Sequence, residues 1–179
     1  MKETSRKVTK RISYVALFTA LICVCTWAAI PMPSGISVTL QTFAVMLAGA
    51  LLGWKYGTAA IISYIAIGCT GVPVFSGFRG GIGVLAGPTG GYIAGFVFLV
   101  LCVGLACKFF GVKPVVLAVS MAVGVLICYA FGTVWFTIYS EKSFEAALAL
   151  CVFPYIPFDA VKIALAAFLA PKLKKHIDL

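Results

Sequence analysis

Residues 114–139 read PVVLAVSMAVGVLICYAFGTVWFTIY, a run opened by Pro114 that carries no charge. A membrane-spanning helix needs about 20 predominantly apolar residues, whereas a helix at the surface of a soluble domain keeps one polar face. This run has no polar face to turn toward water. Working outward from it, similar apolar runs lie at 12–30, 42–54, 57–70, 91–110 and 144–170. Of the 179 residues, 63% are hydrophobic and 11% charged, against about 45–50% apolar and about 25% charged in soluble domains. The mean hydropathy is +1.12. A soluble monomer is therefore excluded. The expectation is an all-α integral membrane protein, a single transmembrane domain over 1–179 built as a six-helix bundle, with no room for a soluble catalytic domain. The short runs 42–54 and 57–70 read as two tilted helices around the interfacial turn Trp54-Lys55-Tyr56-Gly57.

Charge distribution sets the orientation. Residues 1–11 form a basic N-terminus and 171–179 a basic tail. With the N-terminus in the cytoplasm, the inner segments hold Lys2, Arg6, Lys7, Lys10, Arg11, Lys55, Lys108, Lys113, Lys172, Lys174 and Lys175, eleven of the fourteen basic residues. The outer loops hold Arg79 and Lys142, and Lys162 lies inside the last run. This asymmetry follows the positive-inside rule, and an even number of spans returns both termini to the cytoplasm. The net charge of +9 thus reads as topology and not as nucleic-acid binding. A basic start before an apolar stretch also describes a signal peptide, but the run 12–30 is long for one and leads into further apolar sequence, so a retained first helix is expected. The seven cysteines form no CxxC pair and lie within apolar sequence, which suits small packing residues better than zinc or disulfides.

Three stretches do more than anchor. The outer segment 31–41 has two prolines and no charge, and 71–91 holds eight glycines, two prolines and the lone charge Arg79. Irregular backbone at membrane depth is tolerated where protein or a cavity satisfies it, so the glycine-rich segment reads either as a long connector or as a cover over an outward-facing site. Its GPTGG run at 87–91 lacks the lysine of a phosphate loop, which argues against ATP binding. Within the last run, PYIPFDAVK at 154–162 puts Asp159 and Lys162 three residues apart on one helical face. Charges inside an apolar segment cost about 2.5–3.5 kcal/mol each on insertion scales and mark function by default. A helix starting near Pro157 places this pair in its first turn, where the dipole favours the carboxylate. On helix one, Ala16 and Ala20 are small residues four apart toward the cytoplasmic end, a spacing that lets another helix approach closely.

In combination and order these features resemble the BioY family, the biotin-specific substrate-binding (S) components of energy-coupling factor (ECF) transporters. The resemblance rests on SVTLQTFAVMLAGALLG at 37–53, GVPVF at 71–75, GPTGGYIAGF at 87–96 and PFDAVK at 157–162, and it covers nearly the whole chain. It implies the six-helix S-component fold in the cell membrane, an outward-facing biotin pocket, and no ATPase or cofactor of its own. It also implies partners: one transmembrane coupling subunit, contacted through the alanines that correspond to Ala16 and Ala20, and two cytoplasmic ATPases. Biotin pairs a neutral ureido ring with an apolar thioether ring and a carboxylate tail. On this reading Asp159 and Lys162 come first as ligand-binding residues, followed by Arg79 and Tyr92. Gln41, Phe75 and Thr89 are further candidates, with Tyr155 among the rings that would bury the sulfur.

Other classes fit less well. A metal-dependent enzyme needs several His and acidic ligands, and the one histidine is His176 in the basic tail. A channel or structural membrane protein predicts polar residues along several helices, whereas the membrane charges here concentrate at Asp159 and Lys162. An S component for another vitamin stays open at this stage, as does the cation that meets the biotin carboxylate.

Overall fold

A computed structural model describes residues 2–32 and 35–177, with side chains from residue 6 onward. Met1, Pro33, Ser34, Asp178 and Leu179, and the side chain of Lys2, lie outside the described residues. The chain runs α1 (Lys2–Trp27), β1 (Ala29–Ile30), β2 (Val38–Thr39), α2 (Gln41–Cys69), α3 (Gly83–Ala86), α4 (Gly90–Phe110), α5 (Pro114–Ser140), α6 (Phe144–Cys151) and α7 (Ile156–Lys174). Here α4 packs between α2 and α5, α1 lies against α2, and α7 closes against α2 and α5.

Four helices, α1, α2, α4 and α5, are each long and apolar enough to cross a membrane, and α6 with α7 makes a fifth candidate bent by 51°. Much of the outside of the bundle is apolar too: on α5, Val115 and Ile138 are each 74% exposed. Water would penalise such a surface, while lipid tails accept it. Inside, Ile22, Met46, Leu51, Ile61, Leu99 and Met121 are fully buried.

The expected pair of helices around residue 54 is present as the two helical halves of α2, which meet at a crease at Gly53, whose φ of 73° and ψ of −179° leave the helical region. A left-handed φ is open to glycine at little cost. The two halves of α2 fold back on each other. A Cβ on Gly57 would stand 2.9 Å from the Ala48 carbonyl oxygen, whereas nine residues along a straight helix span about 13 Å. The crease rests on α4, where a Cβ on Gly104 would come within 2.3 Å of the Trp54 amide nitrogen.

Three expectations are corrected. The basic residues from Lys2 onward form the first turns of α1, because Lys and Arg are good helix formers and nothing at Arg11 or Ile12 breaks the helix. Ala16 and Ala20 consequently sit midway along α1 and not toward its end. The run 144–170 is two helices, since Pro154 lies in a turned segment, residues 152–155, and Pro157 opens α7 within its first two positions; a proline is tolerated there because its missing N–H has no helical partner anyway. Ser143 caps α6 by accepting from the Ala146 amide at 3.3 Å, and Glu145 in that first turn suits the helix dipole. Finally, the irregular outer segments contain short regular elements. β1 pairs antiparallel with β2, Ala29 opposite Thr39 and Ile30 opposite Val38, and α3 forms one turn within the glycine-rich segment.

Candidate functional site

The N-terminal ends of α2, α4 and α7 and the C-terminal half of α5 surround a cavity of about 730 Å³, mouth included. Its floor is polar. Asp159 and Lys162, on the first turns of α7, are 4% and 8% exposed. Lys162 Nζ donates to Asp159 Oδ1 at 2.9 Å and to Thr42 Oγ1 at 3.0 Å. Thr42 Oγ1 in turn donates to the same Asp159 oxygen at 3.1 Å. The three side chains thus close a triangle, and the Tyr129 hydroxyl donates from α5 to Asp159 Oδ2. Breaking such a buried pair on one side leaves an uncompensated charge, at a cost of about 3–5 kcal/mol.

The triangle leaves capacity unspent. An ammonium has three donors, of which Lys162 uses two, and Asp159 Oδ2 retains a lone pair beyond its bond to Tyr129. Gln41 Nε2 and Ser76 Oγ are buried with no hydrogen-bond partner, and both residues line the cavity. Buried polar groups are as a rule paired, so these two mark where a polar ligand would be received.

The walls are aromatic. Tyr92 donates its hydroxyl to the Cys151 carbonyl at 3.2 Å, Tyr64 to the Val74 carbonyl at 3.4 Å and Tyr155 to the Ile36 carbonyl. With the hydroxyls tied to backbone, the rings are held in place. Phe75 packs edge-on to Tyr64 at 5.5 Å between centroids and reaches the cavity with Thr89. All seven cysteines are free; Cys128 and Cys151 line the wall.

Of the sequence-derived candidates, Asp159, Lys162, Gln41, Phe75, Tyr92 and Thr89 share this one cavity, as does Tyr155. Arg79 does not. It is exposed, with Nε donating to the Ser76 carbonyl at 3.0 Å. A tight antiparallel turn, closed by Phe75 N–H to Arg79 O at 2.9 Å and carried by left-handed Gly77 and Phe78, sends Phe75 inward and Arg79 outward. Thr42, Tyr129, Ser76 and Tyr64 were missed. Thr42 adjoins Gln41 in a polar cluster that opens an apolar run, a signal present in the sequence, while nothing in the uncharged run 114–139 separates Tyr129 from its neighbours.

The glycine-rich segment covers this end of the bundle and is pinned at both ends. Trp27 Nε1 donates to the Pro73 carbonyl at 2.9 Å while its ring stacks on Phe78 at 5.4 Å. Trp135 Nε1 donates to the Gly87 carbonyl at 2.8 Å. Ala16 and Ala20 are exposed, on the side of α1 away from the buried Phe18 and Ile22.

Comparison with known proteins gives consistent matches. The sequence model described as "BioY family" matches residues 1–178. The chain is 38% identical over 169 residues to "Biotin transporter BioY" of Thermotoga maritima, covering 93% of this chain and 96% of that protein. It is 39% identical over 166 residues to "Probable biotin transporter BioY" of Pyrococcus horikoshii, covering 92% and 96%. A crystal structure of the S-component for biotin from an ECF-type ABC transporter superposes with a TM-score of 0.85 at 29% identity, covering 95% of this chain and 93% of that one.

Proposed function

This chain belongs to the BioY family, and from that premise we propose that it is the biotin-binding S component of an ECF-type transporter. The observation that carries the reading is the buried Asp159–Lys162–Thr42 triangle at the floor of an aromatic cavity. The pair is internally neutral, which suits a neutral polar ring better than a free ion. A ureido group donates and accepts together. Asp159 Oδ2 accepts one ureido N–H, the third Lys162 N–H donates to an oxygen of the ligand, and Gln41 and Ser76 complete the polar contacts. Phe75, Tyr92 and Tyr155 bury the thioether ring, with Thr89 at the start of α4.

The same reading extends to the assembly. Six spans result when the two halves of α2 are counted separately and α6 with α7 as one, and both termini then face the cytoplasm of a cell-membrane protein. Biotin enters from outside, beneath the covering segment. The chain lacks a phosphate loop, so ATP is hydrolysed by two cytoplasmic ATPases and transmitted through a transmembrane coupling subunit. That subunit packs on the exposed α1 face at Ala16 and Ala20, where small side chains allow close approach.

Equilibrium binding of labelled biotin to the purified chain, with thiamine and riboflavin as competitors, tests the reading. Saturable binding that neither competitor displaces is expected. Displacement by either competitor would reassign the cavity to another vitamin, and no saturable binding of biotin would overturn the assignment.

A further inference from the structure

The turn that carries Phe75 and Ser76 to the cavity has an unusual residue at its tip. Phe78 has a φ of 55° and is 65% exposed. A bulky side chain in the left-handed region persists only where its surroundings hold it there. Gly77, with a φ of 73°, meets the same demand at little cost. The base of the turn is seated on the end of α2. Gly81 N–H donates to the Gly68 carbonyl at 2.7 Å. Gly68 also leaves room for the Phe75 ring, since a Cβ there would stand 2.1 Å from Phe75 Cζ.

The tip is met by a different helix. Trp27, the last residue of α1, stacks on the Phe78 ring with 5.4 Å between centroids and 23° between planes. The same indole donates its Nε1–H to the Pro73 carbonyl at 2.9 Å. One side chain therefore grips the segment on both sides of Phe75 and Ser76. Those are the two residues that the segment gives to the cavity. Phe75 is 1% exposed, and Ser76 Oγ is buried with no hydrogen-bond partner among the described residues.

On the reading of this cavity as the biotin site, we propose that Trp27 is a positioning residue for ligand capture, clamping the strained turn at 75–79 so that Phe75 and Ser76 stay in the cavity. Trp27 lies outside the cavity lining and acts through those two residues. Its stack and its hydrogen bond together offset the penalty of a left-handed Phe78. Without them, residue 78 relaxes toward negative φ and the Phe75–Arg79 pairing opens. A tryptophan that served only as an anchor at the membrane boundary would leave the turn unmoved when removed.

Two readouts on the purified full chain separate these roles: the dissociation constant of labelled biotin, and the hydrogen-exchange rates of the Phe75 and Arg79 amides that close the turn. The second needs no ligand. Trp27→Ala is expected to weaken binding at least about tenfold and to speed both exchanges at least about tenfold. Adding Phe78→Gly to Trp27→Ala is expected to return affinity to within about threefold of wild type, because glycine takes the left-handed φ freely. Trp27→Phe keeps a ring on Phe78 and loses the donor to Pro73, so a loss of about two- to fivefold is expected. Affinity within threefold of wild type in Trp27→Ala, unchanged exchange in that variant, or no recovery with Phe78→Gly overturns the role of Trp27. Should Trp27→Ala not fold, wild-type affinity and exchange in Trp27→Phe overturn it. A wild type that binds no biotin overturns the proposed function instead, and the exchange rates still decide the role of Trp27.

Discussion

At the cavity end of the bundle Lys162 is 8% exposed and gives two of its donors to Asp159 and Thr42, whereas at the far end Lys55 and Lys108 stand exposed over aromatic rings. The first lysine is held by a carboxylate and a hydroxyl from two helices. The others meet no carboxylate among the described residues. The difference follows from solvent. A cation inside a bundle must be compensated by the protein itself, so its partners are fixed and its remaining donor points one way. A cation at the membrane boundary is compensated by water and lipid.

The strongest break between the cavity and the rest of the molecule should come from α1. Ala16→Trp or Ala20→Trp is expected to abolish biotin uptake in cells while the purified chain keeps its biotin affinity within about threefold. Loss of binding equal to the loss of uptake would make this face packing core, and surviving uptake would move the docking surface elsewhere. The crease that separates the two ends is the next target. Gly104→Val forces a Cβ toward the Trp54 backbone, and overpacking of this kind costs about 1–3 kcal/mol. A lowered unfolding temperature in detergent is expected, and an unchanged one would mean that α2 is not seated on α4 as described.

Smaller effects sharpen the cavity end. Tyr129→Phe and Thr42→Val each remove one donor from Asp159. At about 1–3 kcal/mol for an unsatisfied buried acceptor, biotin affinity is expected to fall about five- to hundredfold by titration calorimetry. Arg79→Ala, on the outward side of its turn, is expected to change affinity less than about threefold. A loss as large as that of Thr42→Val would bring Arg79 into the site.

How much of this was legible depends on what each residue costs. Asp159 and Lys162 stand out in sequence because charge in an apolar run is expensive. Thr42 and Tyr129 do not, since a hydroxyl or phenol costs little in such a run, and their bonds to Asp159 span 117 and 30 residues. The crease at Gly53 fell within one residue of the expected turn, because Trp54, Lys55 and Tyr56 mark a boundary by composition. Arg79 stands outside the cavity lining for a backbone reason: left-handed φ at Gly77 and Phe78 decides which side of the turn faces the cavity, and Phe is no common residue for that conformation. The break between α6 and α7 was written in Pro154 and Pro157, yet apolar composition on both sides hid the separate helix before them.

The central claim is that the buried pair on α7 receives biotin. The most direct measurement is the equilibrium dissociation constant of biotin for purified Asp159→Asn and Lys162→Ala, each checked for a folded bundle by circular dichroism and gel filtration. The account predicts that both substitutions weaken binding well over tenfold, because each leaves a buried partner uncompensated and removes a contact to the ligand. Wild-type affinity in either folded variant would contradict it.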